Sequence, residues 1–373
     1  MALQLDPVSF RLSFQADEAS SIQRANGELA NWITAEQLGP TLASRAFALL
    51  NTAAYDLWAA VDPIAVPRFG LDGLEDLALG NLDQAVDLLA DSLFSQWFSG
   101  FTSSNPPPLV STAWDGLIAS LVSALPELDP WSGLDLGAEV PESTRSIDHW
   151  TPEHIPIDDP DAPLESFLTP LWGTLEPFSI TDVSQWRQPG PEPFLLLDSS
   201  LAQLHLESGE LELRQPWVDT AGVLHDPGFY AIGSEEHQAW LFQGVINPTF
   251  VSQAQELVDL QTNLSDEQKL IAEFWEDGGG TPFPPGSWMA ITALVAEQES
   301  LDLIEQIQLF SAVGQAVGDA GIAAWDNKAH FDYARPVRAI RDLSSLDLLT
   351  GENLDQWNSY QLPGSHSSPP FPE

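Results

Sequence analysis

Cysteine is absent from this 373-residue chain, and methionine occurs only at Met1 and Met289. Without thiols there is no disulfide framework, no thiolate metal site and no cysteine nucleophile. Scarcity of both sulfur residues suits a protein working beside a strong oxidant, because these side chains are oxidised most readily. Fourteen Trp weaken that argument. Lysine is nearly missing too: Lys269 and Lys328, with ten Arg, face 55 acids, for a net charge of −43. The acids are scattered, with their densest cluster at Asp158, Asp159 and Asp161, which describes a solvated acidic surface. Such a field repels nucleic acids and anionic membranes, so neither is an expected partner. No apolar run approaches the roughly 18 to 20 residues needed to cross a bilayer, which points to a soluble protein. The first positive charge is Arg11, so no basic segment precedes an apolar core, and no N-terminal secretion signal is visible. The compartment stays open between the cytoplasm and export through a C-terminal signal not seen here.

What is present suffices for a large core. Apolar residues make up 43% of the chain and charged ones 18%, which is enough for one large or two modest domains. Leu42, Ala46, Leu49, Leu50, Ala53 and Leu57 recur at helical spacing within 18–62, and Pro63 follows them. Leu74–Phe98 and Thr112–Leu125 repeat that period on either side of a Pro-rich break at 105–108. Between 126 and 200 the period fades and Pro recurs. The aromatics there (Trp131, Trp150, Phe167, Trp172, Phe178) predict an ordered connection laid over a bundle. Alternation about Ser208-Gly209 predicts a β-hairpin over 202–214.

Helix returns near Pro248. Ser265 with Gln268 forms a capping-box pattern opening a helix through Trp275, which Gly278, Gly279 and Gly280 end. Trp288 to about Gln298 is another helix. Leu301 to about Ala334 is the longest, with Ile304, Ile307, Phe310, Val313, Ala316, Val317, Ala320 and Ile322 on its apolar side. The fold expected is mostly α. A first helical bundle falls in 1–125, a Pro- and aromatic-rich connection with a hairpin in 126–250, and a second helical bundle in 251–373.

The chemistry-bearing segment is Trp325-Asp326-Asn327-Lys328-Ala329-His330-Phe331-Asp332-Tyr333-Ala334-Arg335-Pro336. On one helix, Lys328 and Arg335 would share a face about two turns, or ~10 Å, apart. Two cations so placed can converge on one anion, Arg offering a planar fork of donors and Lys a compact charge. The same spacing also fits a solvated face on which Lys328 and Arg335 pair with Asp332 or Asp326, and spacing by itself favours that reading. Because Pro336 disfavours helix at the residue before it, Arg335 is expected where the helix ends or kinks.

This run resembles the first signature, K-x6-R-P, of the vanadium-dependent haloperoxidases and the PAP2-type acid phosphatases similar to them. Further matches lie at 54–62 (AYDLWAAVD), 168–178 (LTPLWGTLEPF), 266–280 (DEQKLIAEFWEDGGG), 319–328 (DAGIAAWDNK) and 367–373 (SSPPFPE). In this order they resemble the bacterial branch of that family. The resemblance implies helical bundles, the second one incomplete, and a vanadate, or phosphate in its place, held by Lys328 and Arg335. It implies that Trp325 and Phe371 wall a halide pocket, that Asp277 tunes an acid/base group, and that hydrogen peroxide and halide are the substrates. For Trp325 and Phe371 a plain core role is an equal alternative.

The family pattern continues to Pro-Ser-Gly-His and then to an Arg followed six residues on by the axial His that binds vanadium. No such motif follows Pro-Pro-Phe-Pro before Glu373, so the resemblance implies an incomplete chain, inactive by itself, whose remaining ligands lie beyond Glu373. Pro363-Gly364-Ser365-His366 is no substitute, because Gly and Ser are exchanged and it precedes Pro-Pro-Phe-Pro. His330 points to a different helical face from Lys328. Whether the chain is itself an enzyme therefore stays open. An acid phosphatase acting on a phosphate ester and a non-catalytic helical binding or structural protein are the alternatives. Apolar surface on an unfinished bundle would be covered by a second copy or by a complementary C-terminal chain.

Overall fold

The computed structural model describes residues 4–5, 12–13, 19–68, 81–98, 100, 118–119, 146–150, 154, 159, 161–162 and 168–361. Its first elements are β1 (Gln4–Leu5), β2 (Leu12–Ser13), α1 (Ser21–Glu36), α2 (Pro40–Ala59) and α3 (Leu82–Trp97). Then come β3 (Ala202–His205), β4 (Glu210–Leu213), β5 (Trp217–Val218), β6 (Leu224–His225) and β7 (Gly228–Ala231). The remaining helices are α4 (Glu235–Leu241), α5 (Pro248–Thr262), α6 (Asp266–Phe274), α7 (Phe283–Gln298), α8 (Leu303–Phe331) and α9 (Pro336–Ser345). Among the described residues no helix is long and apolar enough to cross a membrane.

Two compact units emerge, each built from three separated stretches. The first takes 1–136, 171–187 and 277–326; the second takes 137–170, 188–276 and 327–373.

In the first unit the helix expected over 18–62 is two helices. Ser20 caps α1 with a reciprocal Gln23 box, while left-handed backbone at Gln37 and the Gly39-Pro40 pair force a turn before α2. α2 is buried almost throughout and forms the centre of a core with Ile22, Leu29, Leu89, Phe94 and Phe310. Buried Asn26 and Asn51 satisfy each other across α1 and α2, each Nδ2 donating to the other's Oδ1 at 2.8 Å. Of the helix expected at 74–98, the described part is α3, and nearly all of that expected at 112–125 lies outside the described residues. α7 begins at Phe283, earlier than expected, because Pro284 and Pro285 occupy the first turn, where no amide donor is needed.

The buried side of α8 overlaps the apolar side read from hydropathy, since Ile304, Val313 and Val317 pack against the core beside buried Ile307, Phe310 and Ile322, but it also takes in glycines. Ile307, Phe310, Gly314, Gly318 and Ile322 are buried, whereas Ala316 and Ala320 are exposed. The glycines set this face. A Cβ added at Gly318 would stand 2.9 Å from Ala48 and from the Phe178 ring, and one at Gly321 would stand 2.7 Å from Ser44 Oγ. Facing them, the connection is strapped down by buried Asp319, whose carboxylate accepts the amides of Phe178 (2.5 Å), Ser179 (2.8 Å) and Ile180 (3.2 Å). Trp150, Trp172 and Phe178 are buried as their aromaticity predicted, while Trp131 and Phe167 lie outside the described residues.

In the second unit the expected hairpin is present as β3 and β4, turning at Gly209 with φ +67°. It is part of a larger element. β7 pairs antiparallel with β4 to make a three-stranded sheet, and β5 with β6 forms a separate ribbon. Leu211, Ile232, Phe250, Ile340 and Leu343 join the strands to α5 and α9 in one core. The Ser265–Gln268 capping box is formed, yet α6 buries none of its residues and leaves Leu270 and Ile271 exposed. α9, which sequence periodicity did not single out, buries the ion pair Arg338–Asp342 at 2.9 Å.

Two measurements check this packing. Gly318→Val should destabilise the protein by about 1 to 3 kcal/mol in chemical denaturation, since even its Cβ would stand 2.9 Å from Ala48 and the Phe178 ring. Asp342→Ala should cost about 3 kcal/mol by stranding a buried guanidinium, whereas the paired change Arg338→Met with Asp342→Leu should recover most of that loss.

Candidate functional site

Helix α8 stops four residues short of Arg335, for a local reason. Asp332 adopts a left-handed conformation (φ +45°), and its N–H donates to the Lys328 carbonyl at 2.9 Å, closing the last turn. Arg335 is then extended (φ −69°, ψ 146°), as the residue before a proline must be, and Pro336 opens α9. Arg335 therefore caps a new helix, its carbonyl accepting the amides of Arg338 and Ala339 at 3.1 Å. The expectation that Lys328 and Arg335 share one face of a single helix is corrected. They flank a break, Lys328 in the final turn of α8 and Arg335 at the start of α9.

Each position is electrostatically distinct. Lys328 lies at the negative pole of α8, which favours a cation, whereas Arg335 adds its charge to the positive pole of α9. The α9 terminus thus gains affinity for an anion. Both side chains are half-buried, and Arg335 Nε is inaccessible to water. Of the carboxylates that spacing offered as their partners, Asp326 meets Arg187 through both oxygens, at 2.6 and 2.9 Å. Asp332 lies near His149, and burial raises its pKa while His149 partly opposes that.

The break is held by a segment far away in sequence. Trp150 N–H donates to Asp332 O at 2.9 Å, Ala334 N–H donates to Asp148 O at 3.1 Å, and His149 pairs antiparallel with Tyr333. The Asp148 carboxylate accepts Ser146 Oγ at 2.5 Å and Phe194 N–H at 2.8 Å, and His149 Nδ1 lies 3.1 Å from it. Burial would raise Asp148, but hydrogen bonds from His149, Ser146 and the Phe194 amide outweigh it and hold the pKa at about 2. In turn the hydrogen bond to Asp148 raises His149 above its ordinary value, against the opposing effect of burial. Burial, with the nearby charges of Asp148 and Glu192, pushes the Tyr333 phenol up; its hydroxyl donates to Glu192 O at 2.7 Å.

The other expected site residues fall elsewhere. Trp325 is buried in the first unit. The chain at Gly173 runs so close to this turn of α8 that an added Cβ would stand 2.5 Å from the Asp326 amide. Asp277, also of the first unit, has left-handed backbone (φ +42°) and accepts Ser287 Oγ at 2.8 Å; burial raises its pKa and that hydrogen bond partly offsets it. Phe371 and His366 lie outside the described residues. Sequence reasoning missed Asp148 and His149, which carry no local motif and meet the break only through long-range pairing.

Residues 308–373, which contain both cations, match the family described as the VCPO second helical-bundle domain. The fold is similar to that of the first bacterial vanadium-dependent iodoperoxidase, with TM-score 0.58 and 16% identity over 95% of this chain and 76% of that one. It is similar also to a bacterial vanadium-dependent chloroperoxidase. The apo-type structure has TM-score 0.53 and 16% identity over 88% of this chain and 70% of that one. The holo-type has TM-score 0.54 and 17% identity over 88% and 71%. No curated protein matches by sequence. In fold, this chain resembles the bacterial vanadium-dependent haloperoxidases.

The Asp148–His149 contact makes a pH prediction. Because the folded His149 pKa lies above 6.5, its stabilising contribution is whole below that pH and is lost as pH rises through the folded value. The Asp148 contribution is present above 3.8 and disappears only as pH falls through about 2. NMR titration of His149 should give a midpoint above 6.5 that drops in Asp148→Asn. An unchanged midpoint would show that the pair does not form.

Proposed function

We propose that Lys328 and Arg335 bind a tetrahedral or trigonal-bipyramidal oxyanion, as part of a vanadium-dependent haloperoxidase-like protein that oxidises halide with hydrogen peroxide once the remaining ligands implied by the resemblance are supplied. The observation carrying this reading is the break itself. Lys328 belongs to the last turn of α8 and Arg335 is the N-cap of α9, at that helix's positive pole, which supports a role in anion binding. The family match over 308–373 spans both residues.

The donor set fits the group. Vanadate and phosphate are hard, multiply charged oxyanions, and a half-buried Arg fork with a Lys point charge offers them charge-assisted hydrogen bonds in a setting of reduced screening. Bound vanadate would supply the peroxide-activating chemistry. On this reading Lys328 and Arg335 orient the anion and offset its charge, including charge that builds on its oxygens during reaction. The roles that the resemblance implies for Trp325, Phe371 and Asp277 belong to the same proposal.

The same donors would hold the phosphoryl group of a phosphate ester, so the acid-phosphatase reading shares the anion site. Titration calorimetry with orthovanadate and with phosphate tests what the two have in common. Lys328→Ala and Arg335→Ala should each weaken binding by about 10- to 100-fold, the loss expected for one charge-assisted contact. Equal affinity in wild type and both variants would remove the proposal. In a protein carrying these residues together with the remaining ligands the resemblance implies, one assay separates the readings. Bromination of a dye that requires bromide, peroxide and vanadate, with no hydrolysis of a phosphate ester, favours the haloperoxidase.

A further inference from the structure

The turn between α8 and α9 sets the backbone positions of Lys328 and Arg335, and it is held by pairing with chain far away in sequence. Asp332 is in a conformation that non-glycine residues adopt reluctantly, and Tyr333 forms an isolated antiparallel bridge with His149. Such a linker keeps one geometry only if something else pairs with its backbone. That partner is 148–150, whose two hydrogen bonds run to Asp332 O and from Ala334 N–H. The partner segment is itself fixed through one side chain. Asp148 ties Ser146, His149 and the Phe194 amide together, between Ile147 and Phe194, both buried in the core of the second unit. Phe194 is anchored in turn by its carbonyl, which accepts the Asn247 amide at 2.9 Å at the start of α5. A second tether runs from Tyr333 Oη to Glu192 O.

We propose that Asp148 is a positioning residue of the oxyanion site. It locks 148–150 against the break, so that Lys328 and Arg335 are held in the relative orientation that receives one anion. This inference rests on the oxyanion reading above and adds to it a residue about 180 positions upstream of the cations. Asp148 touches neither anion nor substrate and acts through the linker. Asn in its place can still accept one hydrogen bond but loses the charge that holds His149 and shares two donors. The strand should then loosen and the two cations should sample more than one separation, at a cost in affinity for a compact anion.

The test is a double-mutant cycle on the full chain, read as phosphate and orthovanadate affinity by calorimetry, with wild type, Asp148→Asn, Arg335→Ala and the combination. Asp148→Asn should weaken binding by about tenfold or more in the wild-type background and by less than about twofold when Arg335 is already Ala. A purely structural role would lower affinity by the same factor in both backgrounds, and that outcome overturns the proposal. Asp219→Asn serves as a control for loss of a buried turn carboxylate elsewhere in the second unit. Asp219 accepts the Ala221 and Val223 amides and lies 3.0 Å from His225 Nε2, and its substitution should leave affinity unchanged.

If Asp148→Asn does not fold, Ser146→Ala removes one of its hydrogen bonds more gently. It should cost about threefold in the wild-type background and nothing measurable beside Arg335→Ala; equal losses would again overturn the proposal. Retained affinity in Asp148→Asn, with Lys328→Ala and Arg335→Ala both defective, would sink the positioning role and leave the oxyanion reading standing. A wild-type chain that binds neither anion would remove both.

Discussion

A proline that cannot accept helix before it, and an aspartate that accepts left-handed backbone, together decide the geometry on which the candidate site depends. Had α8 run on through Arg335, Lys328 and Arg335 would sit two turns apart on a rigid rod, at a spacing set by helical rise. The break at Asp332 replaces that rod with two helix ends. One end presents a lysine in its last turn, and the other presents an arginine at its cap. Helix poles then act on the two cations differently, the α8 terminus favouring the charge of Lys328 and the α9 terminus adding to the field of Arg335.

A turn of this kind is weak by itself, and the second unit compensates for it. The chain at 148–150 supplies the hydrogen bonds that Asp332 and Ala334 would otherwise leave to water, and Tyr333 packs against the core that contains Ile147, Phe194, Ala339 and Ile340. The ionised Asp148 is the polar centre of that arrangement, its pKa kept low by donors despite burial. In the first unit the corresponding role falls to Asp319. Its carboxylate gathers successive amides at Phe178, Ser179 and Ile180 and so holds the proline-rich connection against α8. Buried Asp319 in the first unit and half-buried Asp148 in the second each fasten irregular chain within their own unit.

Close packing of α8 depends on what it lacks. Gly314, Gly318 and Gly321 leave room for Asn51, Ala48 and Ser44 of α2, a part of the buried side that hydropathy did not register. Glycine carries little weight in an apolar pattern, so a face defined by missing side chains is invisible to a search for large ones. Ala316 and Ala320, which do count as apolar, are left exposed.

Several features were legible in the residues themselves because their causes are local. The Ser265–Gln268 box, the turn at Ser208-Gly209 and the extended Arg335 before Pro336 follow from sterics and hydrogen bonds spanning a few residues. The Lys–Arg pair was legible as well, although its setting on two helices was not, since φ at Asp332 depends on the pairing it enters. Sequence by itself therefore determined the mostly helical class, the acidic surface and the two cations followed by proline. Tertiary structure decided that each unit draws on three separated stretches, that β7 joins the hairpin, and that Asp148 and His149 meet the α8–α9 turn. Pairing between stretches about 180 residues apart rests on backbone groups common to nearly every residue. It leaves no mark in composition or spacing until the chain has folded.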